Sequence, residues 1–304
     1  MIPLEQTHLP HGEQEFTPSS ADKQYSNFGK AWYRFTRNPT AVIGLVIVVS
    51  VVLFALLAPL LAPYPEHAGS FVNFRARHHA PDWDYWMGTD NVGRDILTRV
   101  LYGYRVSLSL VVGVLALSVP VGVLLGIVAA YAGGWIEQLI MRFNDMLLAV
   151  PPLALALAIT SILEPNLTNA MLAIACLWWN WHCRLVYRLA KSIVTEDFIE
   201  AARLSGASHW HIVVKEILPN CVAAISVKTT LDAGFVILFG ATLSFLGLGV
   251  QPPTPDLGTM VSTGAAYLPE YWWEAMMPGL AILYAILGFN LLGDGLRDFF
   301  DVEV

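Results

Sequence analysis

The sequence predicts an all-α integral membrane protein with six transmembrane helices. Of its 304 residues, 56% are hydrophobic and only 13% are charged, and the mean hydropathy is +0.55. A soluble domain normally carries about 25% charged residues, so the apolar side chains of this chain must face something other than water. About 20 apolar residues cross a bilayer as a helix, and an isolated strand would leave its backbone unpaired in lipid. The predicted spans are 40–62, 106–131, 146–163, 169–187, 222–246 and 275–292.

Glycines and prolines predict local features of these spans. The second span carries Gly122-Val-Leu-Leu-Gly126, a small-xxx-small spacing that lets two helix backbones approach closely. Pro120 in the same span, and Pro151 and Pro152 in the third, remove helix hydrogen bonds and should kink their helices.

These segments divide the chain into regions of different character. A polar N-terminal tail (1–39) precedes the first transmembrane helix (40–62), and a long outer loop (63–105) follows it. The remaining spans form a membrane core (106–297) with a long inner loop (188–221), and a short segment (298–304) ends the chain. The tail contains no apolar core of the kind that a cleavable signal peptide needs.

The distribution of Lys and Arg predicts the orientation of the chain. The loops 164–168 and 247–274 contain no basic residue, whereas the tail and the inner loop contain several. Basic residues favour the cytoplasmic side, so we expect both termini to be cytoplasmic. The exception is the outer loop 63–105, which holds five arginines.

Charge and motif content argue against several functions. The net charge of −7 gives no basic stripe for a phosphate backbone, so nucleic acid is not an expected partner. The three cysteines, Cys176, Cys183 and Cys221, do not form a disulfide framework. The chain has no P-loop, and the two imidazoles of His209-Trp-His211 would point about 200° apart on a helix, which is poor geometry for a metal.

The inner loop predicts a short helix of its own. Thr195 is a plausible N-cap, and Glu196 and Asp197 would then suit the positive end of the helix dipole. Gly206 provides the stop. A second short helix is predicted over 209–218, closed by Pro219. The predicted apolar side of the first helix consists of Phe198, Ala201, Ala202 and Leu204.

The same loop carries the most specific motif. Glu200-Ala201-Ala202 is followed by Gly206 and then by Ile217-Leu218-Pro219, and this pattern resembles the EAA loop of ABC importer permeases. Other motifs occur in the order that the resemblance requires. They are Gly88-Thr-Asp-Asn-Val-Gly-Arg-Asp95, Ala130-Tyr-Ala-Gly-Gly-Trp135, Leu243-Ser-Phe-Leu-Gly-Leu-Gly249 and Phe289-Asn-Leu-Leu-Gly-Asp-Gly-Leu-Arg-Asp298. Together they resemble the dipeptide/oligopeptide/nickel permease family, specifically its C-type subunit.

The resemblance implies the type I, MetI-like fold of importer permeases in the cytoplasmic membrane of a prokaryote. It implies a second homologous permease subunit, two ABC ATPase subunits and an extracytoplasmic solute-binding protein as partners. ATP and Mg would be bound by the ATPases, and this chain would hold no cofactor and catalyse no reaction. The resemblance implies di- or oligopeptides as the transported solute, with nickel complexes, opines and sugars as alternatives. The residues implied to couple the permease to the ATPase are Glu200, Ala201, Ala202, Arg203, Gly206, Leu218 and Pro219.

Two charged residues lie inside the fifth predicted span. Lys228 and Asp232 are four residues apart, so they share one helix face. A charge at mid-membrane costs about 2.5–3.5 kcal/mol on insertion scales, which requires Asp232 to face protein or a watery cavity. Two interpretations follow: a place in the pathway or a gate, and a structural partner in helix packing.

Two functions of other classes compete with the importer. A proton-coupled secondary transporter could use Asp232 as a carrier, but no inverted repeat is visible and the loop 188–221 would then have no role. An intramembrane enzyme is disfavoured because the sequence contains no nucleophile elbow and no favourable metal spacing.

Overall fold

The computed structural model of the chain describes residues 35–300, and this part of the chain is helical without a β-strand. Most of the N-terminal tail and residues 301–304 lie outside the described residues. The helices, in chain order, are α1 (Pro39–Leu56), α2 (Ala58–Leu61), α3 (Ile96–Ala132), α4 (Gly134–Leu148), α5 (Pro152–Thr160), α6 (Leu167–Ile193), α7 (Asp197–Leu204), α8 (His209–His211), α9 (Leu218–Phe245), α10 (Leu257–Ala265) and α11 (Trp273–Phe300).

The all-α membrane fold is confirmed, and four or five of the six predicted spans have the length and apolarity that a bilayer requires. Four helices are long and apolar enough to cross a bilayer: α1, α3, α11 and the continuous helix His209–Phe245 that contains α8 and α9. The pair α4–α5 adds a fifth if it forms one bent span. The predicted span 169–187 falls on α6, which has 27 residues but is interrupted by Asn, His and Arg side chains. The count of six is therefore not confirmed.

Helices α3 and α6 pack closely because two glycines of α3 face α6. A Cβ atom added at Gly122 would lie 2.5 Å from the carbonyl oxygen of Trp179, and one at Gly126 would lie 2.7 Å from that of Cys183. Real Cβ atoms do not approach a neighbour so closely, so only glycine fits at either position. The close approach that the Gly122-Val-Leu-Leu-Gly126 spacing predicts is confirmed.

Proline bends the third predicted span but does not break the second. Helices α4 and α5 meet at an angle of 84° around Pro151 and Pro152, which confirms the predicted kink. By contrast, α3 runs through Pro120 as one helix of 37 residues. The predicted start of the third span at residue 146 is wrong, because helical structure begins at Gly134.

The outer segment between α2 and α3 is folded onto the membrane helices. Asp95 ends it by capping α3, its side chain accepting a hydrogen bond from the backbone N–H of Thr98 at 2.7 Å. Burial raises the pKa of the Asp95 carboxyl. The segment packs on the start of α11, where the indole N–H of Trp273 donates to the carbonyl of Thr89 at 3.3 Å. Helix α3 therefore begins at Ile96, inside the predicted outer loop 63–105.

The main apolar core lies where α3, α6, α9 and α11 pack together, with α1 against α11. Its buried side chains include Val114, Ile174, Val236, Leu243 and Ala285. The core fixes the membrane helices on which the candidate functional residues are carried.

Candidate coupling loop and buried charge cluster

A second, smaller apolar cluster holds the inner loop against the membrane helices. It joins the ends of α3, α6 and α9 to the loop between α6 and α9. Its buried residues are Ile127, Ala130, Val186, Ala190, Ile199, Ile212, Ile217 and Cys221. The loop is therefore a packed element that rests on three helices.

Helix α7 begins one residue later than predicted. Its N-cap is Glu196, which makes no side-chain capping bond, and not Thr195. The hydroxyl of Thr195 instead donates to the carbonyl of Ser192 at 2.7 Å, in the last turn before the loop. Asp197 and Glu200 lie in the first turn of α7, where their charges suit the helix dipole.

The residue that seats α7 is Ile199, which is 0% exposed. The predicted apolar side is wrong, because Phe198 and Leu204 are 44% and 84% exposed. The helix has only two turns, so Ile199 is its one buried side chain, and Ala202 packs against the edge of the same cluster. Glu200 and Ala201 are also exposed, and Ala202 is half-buried. Most of the predicted coupling face is thus presented to the exterior of the chain.

Gly206 ends α7 in the conformation expected for a helix stop. Its φ is +79°, in the left-handed region that favours glycine. The Gly206 N–H donates to the carbonyl of Arg203 at 3.0 Å, and the Ala207 N–H donates to that of Ala202 at 3.1 Å. This pair of hydrogen bonds is a Schellman motif. No atom lies within 4 Å of a Cβ added at Gly206, so the constraint comes from the backbone and not from space.

The remaining predicted coupling residues are Arg203 in α7 and Leu218 and Pro219 at the start of α9. The guanidinium of Arg203 lies 5.4 Å from the ring centre of Tyr131, at the end of α3. The Tyr131 hydroxyl is 2.6 Å from Nδ1 of His209. Leu218 is half-buried and Pro219 is exposed. These contacts fix α7 and α8 relative to α3.

The predicted second short helix does not end at Pro219. A π-helical turn, Ile212–Ile217, joins α8 to α9, and Pro219 lies in the first turn of α9. The wider π turn directly before the proline gives room for its ring, so the helix continues. The inner loop therefore continues into the membrane helix α9 without a break in the helix.

Lys228 and Asp232 contact each other inside α9. The Lys228 ammonium donates to Oδ1 of Asp232. Asp232 is 1% exposed, whereas the Lys228 side chain is 22% exposed. Sequence reasoning missed their third neighbour, His182 of α6, whose Nε2 lies 3.6 Å from Oδ2 of Asp232. The available signal was a histidine inside a predicted membrane span.

This cluster leaves two buried polar atoms without a partner among the described residues. They are Oδ2 of Asp232 and Nδ1 of His182. The Thr229 hydroxyl lies 3.4 Å from Nε2 of His182, at the limit of a hydrogen bond. Asp232 thus links α9 to α6 through groups whose hydrogen-bonding capacity is only partly used. A small displacement of either helix would change the distance between Asp232 and His182.

The two sites are connected by the chain itself. The inner loop joins α6 to α9, and the charge cluster joins the same two helices deeper in the bundle. A force on α7 would reach both helices through the apolar cluster that seats it. Within residues 35–300, no three His, Cys, Asp or Glu side chains group so as to hold a metal ion.

Comparison with known families and proteins adds an independent observation. The family model for the binding-protein-dependent transport system inner membrane component matches residues 122–304. The model for the N-terminal transmembrane domain of oligopeptide transport permease C matches residues 26–81.

Curated proteins are similar to this chain over about nine tenths of its length. The dipeptide transport system permease protein DppC of Alkalihalophilus pseudofirmus is 41% identical over 281 residues, which cover 92% of this chain and 91% of the relative. DppC of Haemophilus influenzae is 39% identical over 90% of this chain and 94% of its own length. The probable D,D-dipeptide transport system permease protein DdpC of Escherichia coli is 38% identical over 90% of this chain and 91% of the relative.

Proposed function

This chain belongs to the binding-protein-dependent transport system inner membrane component family, as a permease subunit of an ABC importer, and we propose that its solute is a di- or oligopeptide. The support for peptides is that relatives about 40% identical over 90% of the chain are named dipeptide or di/tripeptide permeases. Nickel complexes, opines and sugars remain the competing solutes.

The proposed coupling mechanism rests on the exposure of one face of α7. A permease without a nucleotide site needs a rigid element that receives work from an ATPase. Helix α7 is seated by Ile199, stopped by Gly206 and exposed on the face that carries Glu200 and Ala201. We propose that this face docks into a groove of an ABC ATPase, and that Arg203, Leu218 and Pro219 hold α7 and the start of α9 in position.

The assembly follows from the same proposal. The chain forms half of the pathway, and a second homologous permease forms the other half. Two ATPases bind ATP and Mg on the inner side, and a solute-binding protein delivers the solute outside. Counting α4–α5 and α6 each as a span gives six spans, which puts both termini on the same side of the membrane. The distribution of Lys and Arg makes that side the cytoplasmic one. ATP binding would close the ATPase pair and move α7 together with α6 and α9.

Transport into proteoliposomes tests this function. The chain is reconstituted with its partner permease and both ATPases, ATP is enclosed, and the loaded binding protein is added outside. We expect uptake of a labelled dipeptide to require ATP and to persist when a protonophore collapses the proton gradient. Loss of uptake with the protonophore, despite enclosed ATP, would instead favour a proton-coupled carrier. An excess of a nickel complex, an opine or a sugar should leave dipeptide uptake unchanged.

A further inference from the structure

Helix α4 carries an apolar stripe that the other described residues leave largely exposed. Trp135, Leu139, Phe143 and Met146 follow one another at helical spacing and are 51–73% exposed. Asn144 is the one buried residue of the helix within the described chain. An apolar stripe of this length needs a covering partner or lipid.

A charged hollow lies beside this stripe, where α4 runs along α6. Its volume is about 310 Å³, and Glu137, Gln138, Arg142, Asp145 and Tyr187 are among its lining residues. Ion pairs join the two helices along it. Lys191 lies 2.7 Å from Oε2 of Glu137, and Arg184 contacts Asp145.

The hollow and its rim carry more basic than acidic groups. Arg142 lines the hollow and has no ion-pair partner among residues 35–300. Arg188 is exposed on α6 between Arg184 and Lys191, on the helix face that those two residues share, and within the same range it also has no ion-pair partner. Glu137 and Asp145 are each paired with a base of α6. Arg142 in the lining and Arg188 on the rim add two basic residues that no acidic side chain of residues 35–300 neutralises. This excess of positive charge favours an anionic ligand.

The position of the hollow identifies the chemistry of that ligand. Lys191 lies two residues before the end of α6, where the coupling loop begins, so the hollow is on the predicted cytoplasmic side. Basic pockets between membrane helices on this side suit phospholipid head groups. Trp135 beside the hollow suits the membrane interface.

We propose that an anionic phospholipid of the cytoplasmic leaflet binds to α4 and α6. Its phosphate contacts Arg142 and Arg188, and its acyl chains cover the apolar stripe formed by Trp135, Leu139, Phe143 and Met146. A soluble anion, such as the carboxylate of a peptide in transit, would use the charges but leave the stripe bare. The lipid thus accounts for both features of α4.

Native mass spectrometry of the full chain tests this site. The protein is purified from vesicles of phosphatidylglycerol and phosphatidylcholine in equal amounts, and retained lipids are counted. We expect the wild type to retain phosphatidylglycerol. Each of R142Q and R188Q should lower retention about fivefold, since one basic residue near an anionic surface contributes about 1 kcal/mol. R75Q, which removes an exposed arginine of the outer segment, is the matched control and should change nothing.

Two further experiments distinguish a bound lipid from a bound soluble anion. L139N keeps every charge but interrupts the stripe, so it should also reduce retention of phosphatidylglycerol. A Gln138→Cys variant keeps both arginines and carries Cys176→Ser, because native Cys176 is exposed. Phosphatidylglycerol should protect it from a thiol reagent, and glycerol phosphate or a dipeptide should not. Undiminished lipid retention in the R142Q/R188Q double variant would overturn the proposal, as would protection of Gln138→Cys by the dipeptide alone.

Discussion

Asp232 is the most constrained charged side chain in the membrane part of this protein. It is buried between α9 and α6, with Lys228 on one oxygen and His182 at 3.6 Å from the other. A buried charge that loses its partner costs about 3–5 kcal/mol, whereas removing both charges of a pair is often nearly neutral. The structure therefore makes the two interpretations of Asp232 experimentally distinguishable.

We expect Asp232→Leu to impair transport strongly, because it leaves the Lys228 ammonium without its acceptor. Asp232→Asn should keep part of the activity, since an amide can still accept a hydrogen bond. The double variant Lys228→Gln with Asp232→Asn should be milder than the sum of the two single variants. Dipeptide uptake and the amount of inserted protein are measured together. Strict additivity would contradict the pairing, and wild-type uptake in Asp232→Leu would exclude a role in the pathway.

At the scale of single elements, two glycines provide a matched test of the coupling helix. Gly206 ends α7 with a φ of +79°, and Gly247 follows α9 with a φ of +80°. Neither has an atom within 4 Å of an added Cβ. A side chain in the left-handed conformation costs roughly 1–2 kcal/mol at either position. The two substitutions therefore impose the same strain on opposite predicted sides of the membrane.

We expect Gly206→Val to insert and to pair with the partner permease but to lose ATPase docking or solute-stimulated ATP hydrolysis. The turn that presents α7 would shift, although the membrane core would not. Gly247→Val should retain the ATPase subunits on co-purification. Ala201→Asp should weaken docking by placing a charge at the contact. Normal stimulation by the loaded binding protein in both Gly206→Val and Ala201→Asp would mean that the loop is only a connector.

The sequence predicted the features of helices that depend on local composition, and it missed those that depend on tertiary contacts. Apolar length and the Gly122/Gly126 spacing located helices and one close contact, because both depend on local composition. Helix ends were less predictable. The start of α3 depends on Asp95 capping within a folded outer segment, and the passage of α8 into α9 depends on a π turn before Pro219. His182 beside Asp232 is a tertiary contact that spacing along one chain does not show.

On the scale of the whole molecule, we propose that the chain forms one half of a transport pathway. The coupling loop, the charge cluster and the exposed stripe of α4 lie on helices with faces that the other described residues leave exposed. Their proposed partners differ in location: an ATPase on the inner side, a second permease across the pathway, and lipid around both. All three assignments depend on the same orientation of the chain in the membrane, which the distribution of Lys and Arg predicts.

Cysteine labelling tests that orientation. Single cysteines are introduced at Glu164 and Thr254, exposed positions in predicted outer loops, and at Ser205, exposed at the end of α7. Native Cys176 is exposed and is first replaced by Ser, whereas Cys183 and Cys221 are buried. A thiol reagent that does not cross membranes should label Glu164→Cys and Thr254→Cys in intact cells. It should label Ser205→Cys only after permeabilisation, because α7 must face the ATP-bearing compartment for a cytoplasmic ATPase to reach it. Labelling of Ser205→Cys from outside would reverse the orientation, separate α7 from any cytoplasmic ATPase, and remove the lipid site from the anionic inner leaflet.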